Sequence, residues 1–294
     1  MQLSANGIAI EVDDQGPASA EPLLLIMGLG MQLVAWHDGL VQQLLAQGFR
    51  VIRFDNRDAG LSQSFDALGV PNLALTSMQH LLHLPVRSPY SLADMAADAA
   101  GVLDALGLRR AHVCGASMGG MIAQHLALQR PDMVKSLTLM MTNSGARSLP
   151  GPSMKVRQAL LTRPADPKNQ ASVIEHFYKL YRLIGSPGYP APEAWLRQRI
   201  AASVQRSLRP RGVLRQLTAI AADTQRARLI GAIGAPTLIL HGEADPLVPV
   251  AAAHDLARRI PGSRLDLIPG MGHDLPEPLW PRFVAGIQQT AARA

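Results

Sequence analysis

The sequence has little cysteine, no long apolar run and no basic tail, and each absence excludes a class of protein. One cysteine among 294 residues excludes an internal disulfide framework and fits a reducing compartment. The start MQLSANG lacks the basic and apolar regions of a secretory signal, and the run LLLIMGLGM (23–31) is too short and glycine-rich to span a bilayer. The net charge is +6, but no zinc spacing or basic-aromatic module accompanies it. We therefore expect a cytoplasmic protein with no integral membrane segment and no nucleic-acid partner.

Short apolar runs alternate along the chain with helix-like stretches. Seven runs have the length of strands, and most are continuously apolar, as buried parallel strands are. They cover residues 8–12, 23–27, 50–55, 111–116, 135–141, 237–242 and 264–269. Helices are expected between them, for example at 36–48 and 91–107, where Ser91 can cap the helix with Asp94 in its first turn. The alternation predicts an α/β fold, with a doubly wound, mostly parallel sheet covered on both faces.

The alternation breaks between residues 144 and 230, a segment with eight prolines and no convincing strand. Four helices are expected there, at 153–163, 170–184, 191–209 and 212–222. We interpret this segment as a helical cap inserted over one end of the sheet, so that residues 1–143 and 231–294 form the core. A second excursion, 66–88, contains the short amphipathic stretch LTSMQHLLHL.

A Gly-x-Ser-x-Gly pattern stands at residues 115–119, where an apolar run ends and a helix-like stretch begins. A strand–turn–helix context is what a nucleophilic serine needs to be exposed at the end of a sheet, and it makes Ser117 the candidate nucleophile. Gly115 and Gly119 lack the Cβ atoms that would collide in so tight a turn. The plain alternative is a glycine-rich turn without chemistry.

A serine hydroxyl needs a base, and the base needs an orienting acid. His273 follows the run RLDLIP, at the carboxyl end of an expected strand, and is the candidate base, with His241 as its rival. Asp245 in HGEADPLVP is the candidate acid, because Pro246 fixes its turn. Glu243 is the rival acid, and Asp274 adjoins His273 too closely in sequence to make the imidazole contact.

Acyl transfer also needs donors for the oxyanion. The backbone N–H of Met118, directly after the serine, and that of Leu29 in the MGLGM loop are the candidates. Six apolar side chains could line a substrate pocket, although core packing explains each single methionine better. They are Met27, Met31, Trp36, Met118, Leu247 and Met271.

Three further residues have plain explanations. Cys114 stands in an apolar strand and is expected to be a buried, inert thiol. His80 and His83 lie three apart on one expected helix face, but no third ligand accompanies them, so we expect no metal site.

At these residues the sequence resembles the α/β-hydrolase fold superfamily, and most closely its aclacinomycin-methylesterase-like serine esterases. The matching stretches are LLLIMGLG, RFDNRDAGLS, GASMGG, LILHGEADPLVP and PGMGHD. The resemblance implies Ser117 as nucleophile, Asp245 as acid and His273 as base, with Leu29 and Met118 as oxyanion donors, and neither a metal nor an organic cofactor. The His-Gly-Gly-Pro-Gly loop of proline iminopeptidases is absent, and the elbow carries serine where haloalkane dehalogenases and epoxide hydrolases carry aspartate.

These features predict a serine hydrolase, a carboxylesterase that cleaves a small-molecule ester through an acyl-enzyme. The same residues could instead open lactones, hydrolyse carbon–carbon bonds or support perhydrolysis. A non-catalytic ligand-binding receptor on the same fold is the alternative from another class.

The positive charge is concentrated in the expected cap. Residues 145–230 hold 15 Lys and Arg against 4 Asp and Glu, a net of +11, whereas the remainder holds 13 against 18, a net of −5. A solvated basic surface would explain this. The sharper hypothesis is that arginines such as Arg197, Arg199 and Arg206 attract acidic substrates or an acidic partner.

Overall fold

The computed structural model describes residues 1–294 apart from the side chain of Leu161, and its centre is an eight-stranded sheet. The strands are β1 (Gln2–Ala5), β2 (Ile8–Gln15), β3 (Glu21–Ile26), β4 (Phe49–Phe54), β5 (Ala111–Ala116), β6 (Val134–Met140), β7 (Thr237–Gly242) and β8 (Arg264–Ile268). Their order is β1-β2-β4-β3-β5-β6-β7-β8. Only β1 and β2 pair antiparallel with their neighbours, and β3 to β8 pair in parallel, so the predicted mostly parallel sheet is confirmed.

Helices connect the strands and cover the sheet. They are α1 (Asp38–Ala46), α2 (Leu73–Leu81), α3 (Leu92–Ala105), α4 (Met118–Gln129), α5 (Met154–Leu161), α6 (Gln170–Ile184), α7 (Glu193–Arg206), α8 (Pro210–Ala222), α9 (Arg226–Leu229), α10 (Ala251–Arg259) and α11 (Trp280–Ala291). Helix α3 begins with the predicted cap: Ser91 and Asp94 satisfy each other's backbone N–H groups. Among the described residues, no helix is both long and apolar enough to cross a membrane.

The two faces of the sheet bury two separate apolar clusters. Along β3, Leu24 and Ile26 pack into the cluster that contains α3 and α4, whereas Leu23 and Leu25 pack into the cluster that contains α1 and α11. Successive side chains of a strand point to opposite faces, so a strand covered on both faces must be apolar at every position. This is why its sequence reads as a continuous apolar run.

The helices α5 to α9 lie between β6 and β7, and they are bound to the remainder of the chain by polar side chains. The Arg215 guanidinium donates two hydrogen bonds of 2.7 Å to the carboxylate of Asp58, and both side chains are almost wholly buried. The N–H of Gly30 donates to Gln216 Oε1 across 2.8 Å. Helix α8 is therefore hydrogen-bonded to the loops that follow β3 and β4.

The three arginines singled out as a source of attraction for acidic groups already have partners. Arg206 pairs with Asp55. The Arg199 guanidinium donates to the backbone carbonyl of Val34. Arg197 pairs with the glutamates of its own segment, Glu175 and Glu193. Much of their charge is therefore engaged within the chain rather than directed to a ligand.

Candidate functional site

The residue at the turn from β5 to α4 is Ser117, and its backbone adopts a conformation that side chains rarely take. Its φ is 55° and its ψ is −122°, and its N–H donates to the Met140 carbonyl across 2.9 Å. A positive φ in a residue other than glycine costs on the order of 1–3 kcal/mol and persists mainly at functional sites. The turn thus places the serine hydroxyl at the carboxyl end of the sheet, next to the N-terminus of α4.

Two glycines allow this turn to form. A Cβ on Gly115 would lie 2.3 Å from the carbonyl oxygen of Gly119. A Cβ on Gly119 would lie 2.0 Å from the carbonyl oxygen of Ile26, at the end of β3. Both distances are far below contact distance, and the obstructing atoms are backbone atoms. The Gly-x-Ser-x-Gly spacing is therefore required by the close packing of α4 against the ends of β3 and β5.

The structure brings Ser117, His273 and Asp245 into one chain of hydrogen bonds, although they are far apart in sequence. Ser117 Oγ lies 3.0 Å from His273 Nε2, and His273 Nδ1 lies 2.7 Å from Asp245 Oδ2. The histidine side chain is 8% exposed and that of the aspartate is 0% exposed. Such an arrangement can move a proton from the hydroxyl to the imidazole while the carboxylate holds the ring.

Backbone donors fix the carboxylate of Asp245. Its Oδ1 accepts the N–H groups of Leu247 and Val248, each across 2.8 Å, which leaves Oδ2 directed at the imidazole. The turn contains Pro246, whose ring restricts its own φ. The side chain is therefore held by the loop after β7 and needs no partner other than His273 on its second oxygen.

The rival residues have other roles in the structure. His241 is buried and donates from Nε2 to the Val248 carbonyl across 2.8 Å, and burial lowers its pKa, which favours a neutral ring. Glu243 is exposed. Asp274 makes no hydrogen bond to the imidazole of its neighbour within the described residues; it accepts one from the hydroxyl of Ser186, and burial raises the pKa of its carboxyl group.

The MGLGM loop passes directly against the serine. A Cβ on Gly28 would lie 3.1 Å from Ser117 Cβ. Asn56 Nδ2 donates to the Met27 carbonyl across 2.8 Å, and Gln216 accepts from the N–H of Gly30, so the loop is held on both sides of Leu29. The Leu29 N–H makes no hydrogen bond to the described residues.

Met118 is the first residue of α4, where an N–H group has no carbonyl partner within its own helix. Its N–H follows directly after the serine. The loop that carries Leu29 adjoins the same serine through Gly28, so the two candidate backbone donors both belong to segments next to the hydroxyl.

The apolar candidates for a pocket differ in burial. Met27, Trp36 and Met271 are 6%, 1% and 0% exposed and belong to the cluster around α1 and α11, which fits a packing role. Met118 is fully buried in the opposite cluster. Met31 and Leu247 are half-buried and stay candidates.

Three residues that sequence reasoning missed act around this site: Asn56, Gln216 and Ser186. Only Asn56 had a signal in the sequence, because it follows β4 within the stretch RFDNRDAGLS. The other two come from the segment between β6 and β7, Gln216 from α8 and Ser186 from the turn after α6, and nothing local in the sequence indicates which loop they contact.

The remaining candidates take no part in the site. Cys114 is wholly buried in β5, and burial raises the pKa of its thiol, so it is not a reactive cysteine. His80 Nδ1 lies 3.2 Å from the Ala221 carbonyl. Over the part of the chain that the structure describes, no group of three or more His, Cys, Asp or Glu side chains is arranged to hold a metal ion.

The chain belongs to the alpha/beta hydrolase fold family, whose model matches residues 21–277. It is 31% identical over 280 residues to the rhodomycin D methylesterase DnrP of Streptomyces peucetius, and the match covers 88% of this chain and 87% of that protein. The expected resemblance to aclacinomycin-methylesterase-like enzymes is confirmed by this relative.

Solved structures show the same fold. The meta-cleavage product hydrolase of Pseudomonas fluorescens IP01 has a TM-score of 0.76 at 20% identity, and the match covers 100% of this chain and 97% of that one. The enol-lactonase of Burkholderia xenovorans LB400 has a TM-score of 0.76 at 22% identity, with coverages of 99% and 100%. At these identities the likeness concerns the fold alone.

Proposed function

We propose that this protein is a serine hydrolase that cleaves carboxylic esters through an acyl-enzyme. The observation that carries the proposal is the hydrogen-bonded chain from Ser117 Oγ through His273 to Asp245, with distances of 3.0 and 2.7 Å. Its order along the sequence, serine then acid then histidine, is that of the α/β-hydrolase fold.

In the first half of the proposed reaction, Ser117 Oγ attacks the ester carbonyl and its proton passes to His273 Nε2. Asp245 holds the ring with Nδ1–H directed at Oδ2 and stabilises the imidazolium. The N–H groups of Leu29 and Met118 donate to the oxyanion of the tetrahedral intermediate. The intermediate collapses when Nε2 returns the proton to the leaving alcohol, and an ester between Ser117 and the acyl group remains.

In the second half, water takes the place of the alcohol. His273 removes a proton from the water as its oxygen attacks the acyl carbonyl, and the same two N–H groups stabilise the second oxyanion. The proton then returns to Ser117 Oγ, and the acid leaves. Apart from the substrate and this water, the proposed steps use side chains and backbone groups of this chain.

We further propose that residues 144–230 form a cap over the core formed by 1–143 and 231–294. This proposal is supported by the position of α5 to α9 between β6 and β7, and by the contacts of α8 with the MGLGM loop. A cap so placed would shape the pocket that selects a small-molecule substrate. The half-buried Met31 and Leu247 are the pocket residues we propose first.

Among the possible substrates we favour esters, because the methylesterase relative is 31% identical over most of both chains. Methyl esters of carboxylic acids are therefore the first natural-type substrates to test. The alternative reactions, which are lactone opening, carbon–carbon hydrolysis and perhydrolysis, would use the same serine. A non-catalytic receptor would not use Ser117 as a nucleophile.

The proposal is tested with p-nitrophenyl esters of increasing acyl length, in the presence and absence of a serine-directed phosphonate. We expect turnover that is abolished by the phosphonate, with one adduct whose mass maps to the peptide containing Ser117. Ligand binding without turnover of any ester, and without an adduct, would identify a receptor instead. Methyl ester hydrolysis, followed by acid release, is the second measurement.

A further inference from the structure

The end of α6 and the turn after it, together residues 184–188, are hydrogen-bonded to the loop that carries His273. The His273 N–H donates to the Ile184 carbonyl across 2.7 Å. The N–H of Gly188 donates to the Gly270 carbonyl across 2.9 Å. The backbone of the histidine loop is thus bound at two points to a turn more than 80 positions away in sequence.

Glycines allow the two segments to approach this closely. A Cβ on Gly272 would lie 2.4 Å from the Gly185 carbonyl oxygen, and one on Gly188 would lie 3.0 Å from Gly270 Cα. Gly270 also has a φ of 72°, in the region that favours glycine. The two backbones therefore pack without side chains between them.

Ser186 lies at the centre of this contact and is 4% exposed. Its Oγ accepts the N–H of Gly272 across 2.8 Å and donates its own proton to Asp274 Oδ1. One hydroxyl thus binds the residues immediately before and after His273. The flanking residues of the histidine are fixed relative to each other through a side chain of the 144–230 segment.

The opposite side of the histidine loop is held by the end of β7. The Ala244 N–H donates to the Met271 carbonyl across 3.0 Å, and a Cβ on Gly242 would lie 2.2 Å from the same oxygen. The loop is therefore enclosed between the segment that carries Asp245 and residues 184–188.

We propose that Ser186 is a positioning residue for His273, and that its hydroxyl keeps the imidazole within reach of both Ser117 and Asp245. The inference rests on the proposed serine-hydrolase function, because it assigns Ser186 a role in activating the same nucleophile. A displacement of about 1 Å in a reacting group can lower a rate by about 10²-fold. Ser186 needs no contact with the substrate to have this effect.

The test compares Ser186→Ala with Ser172→Ala, a matched control in the first turn of α6, the helix that precedes Ser186, where Ser172 Oγ accepts the Asp166 N–H. The measurements are kcat and KM for a p-nitrophenyl ester, and the rate at which a small phosphonate labels Ser117. For Ser186→Ala we expect kcat and the labelling rate to fall together by about tenfold or more, with KM changed by less than about twofold. Ser172→Ala is expected to match the wild type.

A wild-type labelling rate in folded Ser186→Ala would overturn the positioning role, and so would a rise in KM with unchanged kcat, which would indicate a substrate contact. Failure of the proposed function gives a different result, because the wild type itself would then neither turn over esters nor be labelled. Thermal unfolding and near-UV circular dichroism establish that each variant is folded.

Two substitutions of Asp274 test the same hydrogen bond through its acceptor. They can be measured even if Ser186→Ala does not fold. Asp274→Asn keeps an oxygen that accepts the Ser186 hydroxyl, and we expect kcat and labelling within about threefold of the wild type. Asp274→Ala removes that acceptor, and both rates are expected to fall several-fold. Equal rates for the two variants would contradict the proposal.

Discussion

Arg206 Nη1 lies 2.7 Å from Asp55 Oδ2, and the aspartate is completely buried. The other oxygen of Asp55 accepts the N–H of Leu33 across 2.7 Å. The same Arg206 nitrogen also donates to Gln32 Oε1 across 2.7 Å. One buried carboxylate thus joins α7 to the loop after β3, and part of the net +11 of residues 145–230 neutralises acidic groups in the remainder of the chain.

The partners of Arg206 lead to a prediction about salt. Arg206→Gln should lower the thermal midpoint, because it leaves the buried Asp55 carboxylate without the arginine that pairs with it. It should not change the ionic-strength dependence of kcat/KM for an anionic ester, since a paired charge contributes little to attraction at a distance. Arg163→Gln, at an exposed position in the same segment, is the control for the thermal midpoint. A reduced salt slope in Arg206→Gln, with a neutral ester of similar size unaffected, would instead support attraction of acidic substrates.

The ion pair between Arg215 and Asp58 leads to a prediction about stability. Burial alone would raise the pKa of Asp58, but hydrogen bonds from Arg215, the Phe65 N–H and the Tyr90 hydroxyl outweigh it and lower the pKa. Arg215→Met leaves a buried carboxylate without its cation, and removal of one partner of such a pair costs about 3–5 kcal/mol. Urea unfolding near neutral pH measures this loss.

The dependence of that loss on pH follows from the direction of the shift. A carboxyl group whose folded pKa is depressed stabilises the fold above its unfolded pKa of about 3.9 and loses this contribution as pH falls through the folded pKa. The difference in unfolding free energy between wild type and Arg215→Met should therefore shrink as the pH is lowered below about 4. Arg211→Met, which alters an exposed arginine, is expected to change stability little at any pH. A difference that grows on acidification would contradict this account.

The strands and the Ser91 cap could be predicted from sequence because their signals are local. A strand buried on both faces is apolar throughout, and a capping box needs only four consecutive residues. The strand β1 (Gln2–Ala5) was missed, because it is short, lies at the sheet edge and is mostly outside the core. The strand–turn–helix context of Ser117 could also be predicted, because its signal lies in consecutive residues around the Gly-x-Ser-x-Gly pattern.

Contacts between distant segments could not be predicted in this way. The pairing of Ser186 with the histidine loop joins residues 86 positions apart, and that of Asp58 with Arg215 joins residues 157 apart. From sequence alone, an arginine is expected at the surface unless an acidic partner can be identified, because a buried arginine needs a carboxylate to pair with it. For the same reason, the sequence alone favours a solvated basic surface as the explanation for the positive charge of residues 145–230.

The choice of Asp245 over Glu243 is tested by paired substitutions. Asp245→Asn should lower kcat by about 10⁴-fold, because an amide in that position favours the wrong tautomer of His273. Glu243→Gln should leave kcat close to the wild type, since the glutamate is exposed. Steady-state kinetics with one p-nitrophenyl ester decide between them. A larger loss in Glu243→Gln would mean that the acid has been assigned wrongly.

The role of Ser117 is tested by its removal. Ser117→Ala should reduce kcat by about 10⁶-fold, because the residues of such a site act as a unit. The fold should survive, since the change removes one hydroxyl. Esterase activity of a tenth of the wild type, in a preparation free of contaminating enzyme, would exclude this serine as the nucleophile.

The last prediction concerns the glycine that follows the serine by two positions. A Cβ on Gly119 would meet the carbonyl oxygens of Ile26 and Met27 at 2.0 and 2.8 Å, and these are backbone atoms at the end of a central strand. Gly119→Ala must therefore move α4 or the MGLGM loop, and we expect it to destabilise the fold by about 3 kcal/mol, the upper end of the range for an overpacked core. Any folded fraction should have lost esterase activity, because both proposed donors to the oxyanion, the N–H groups of Leu29 and Met118, lie in the displaced segments.

Gly234 provides the matched control for Gly119→Ala. It is exposed, and a Cβ added there meets nothing within 4 Å. Its φ lies outside the region that favours glycine, so Gly234→Ala should leave stability unchanged or raise it by about 0.4–1 kcal/mol through the entropy of the unfolded chain. Urea unfolding and ester turnover of both variants test the argument. Equal stability of the two variants would show that the packing of α4 against β3 is looser than these contacts imply.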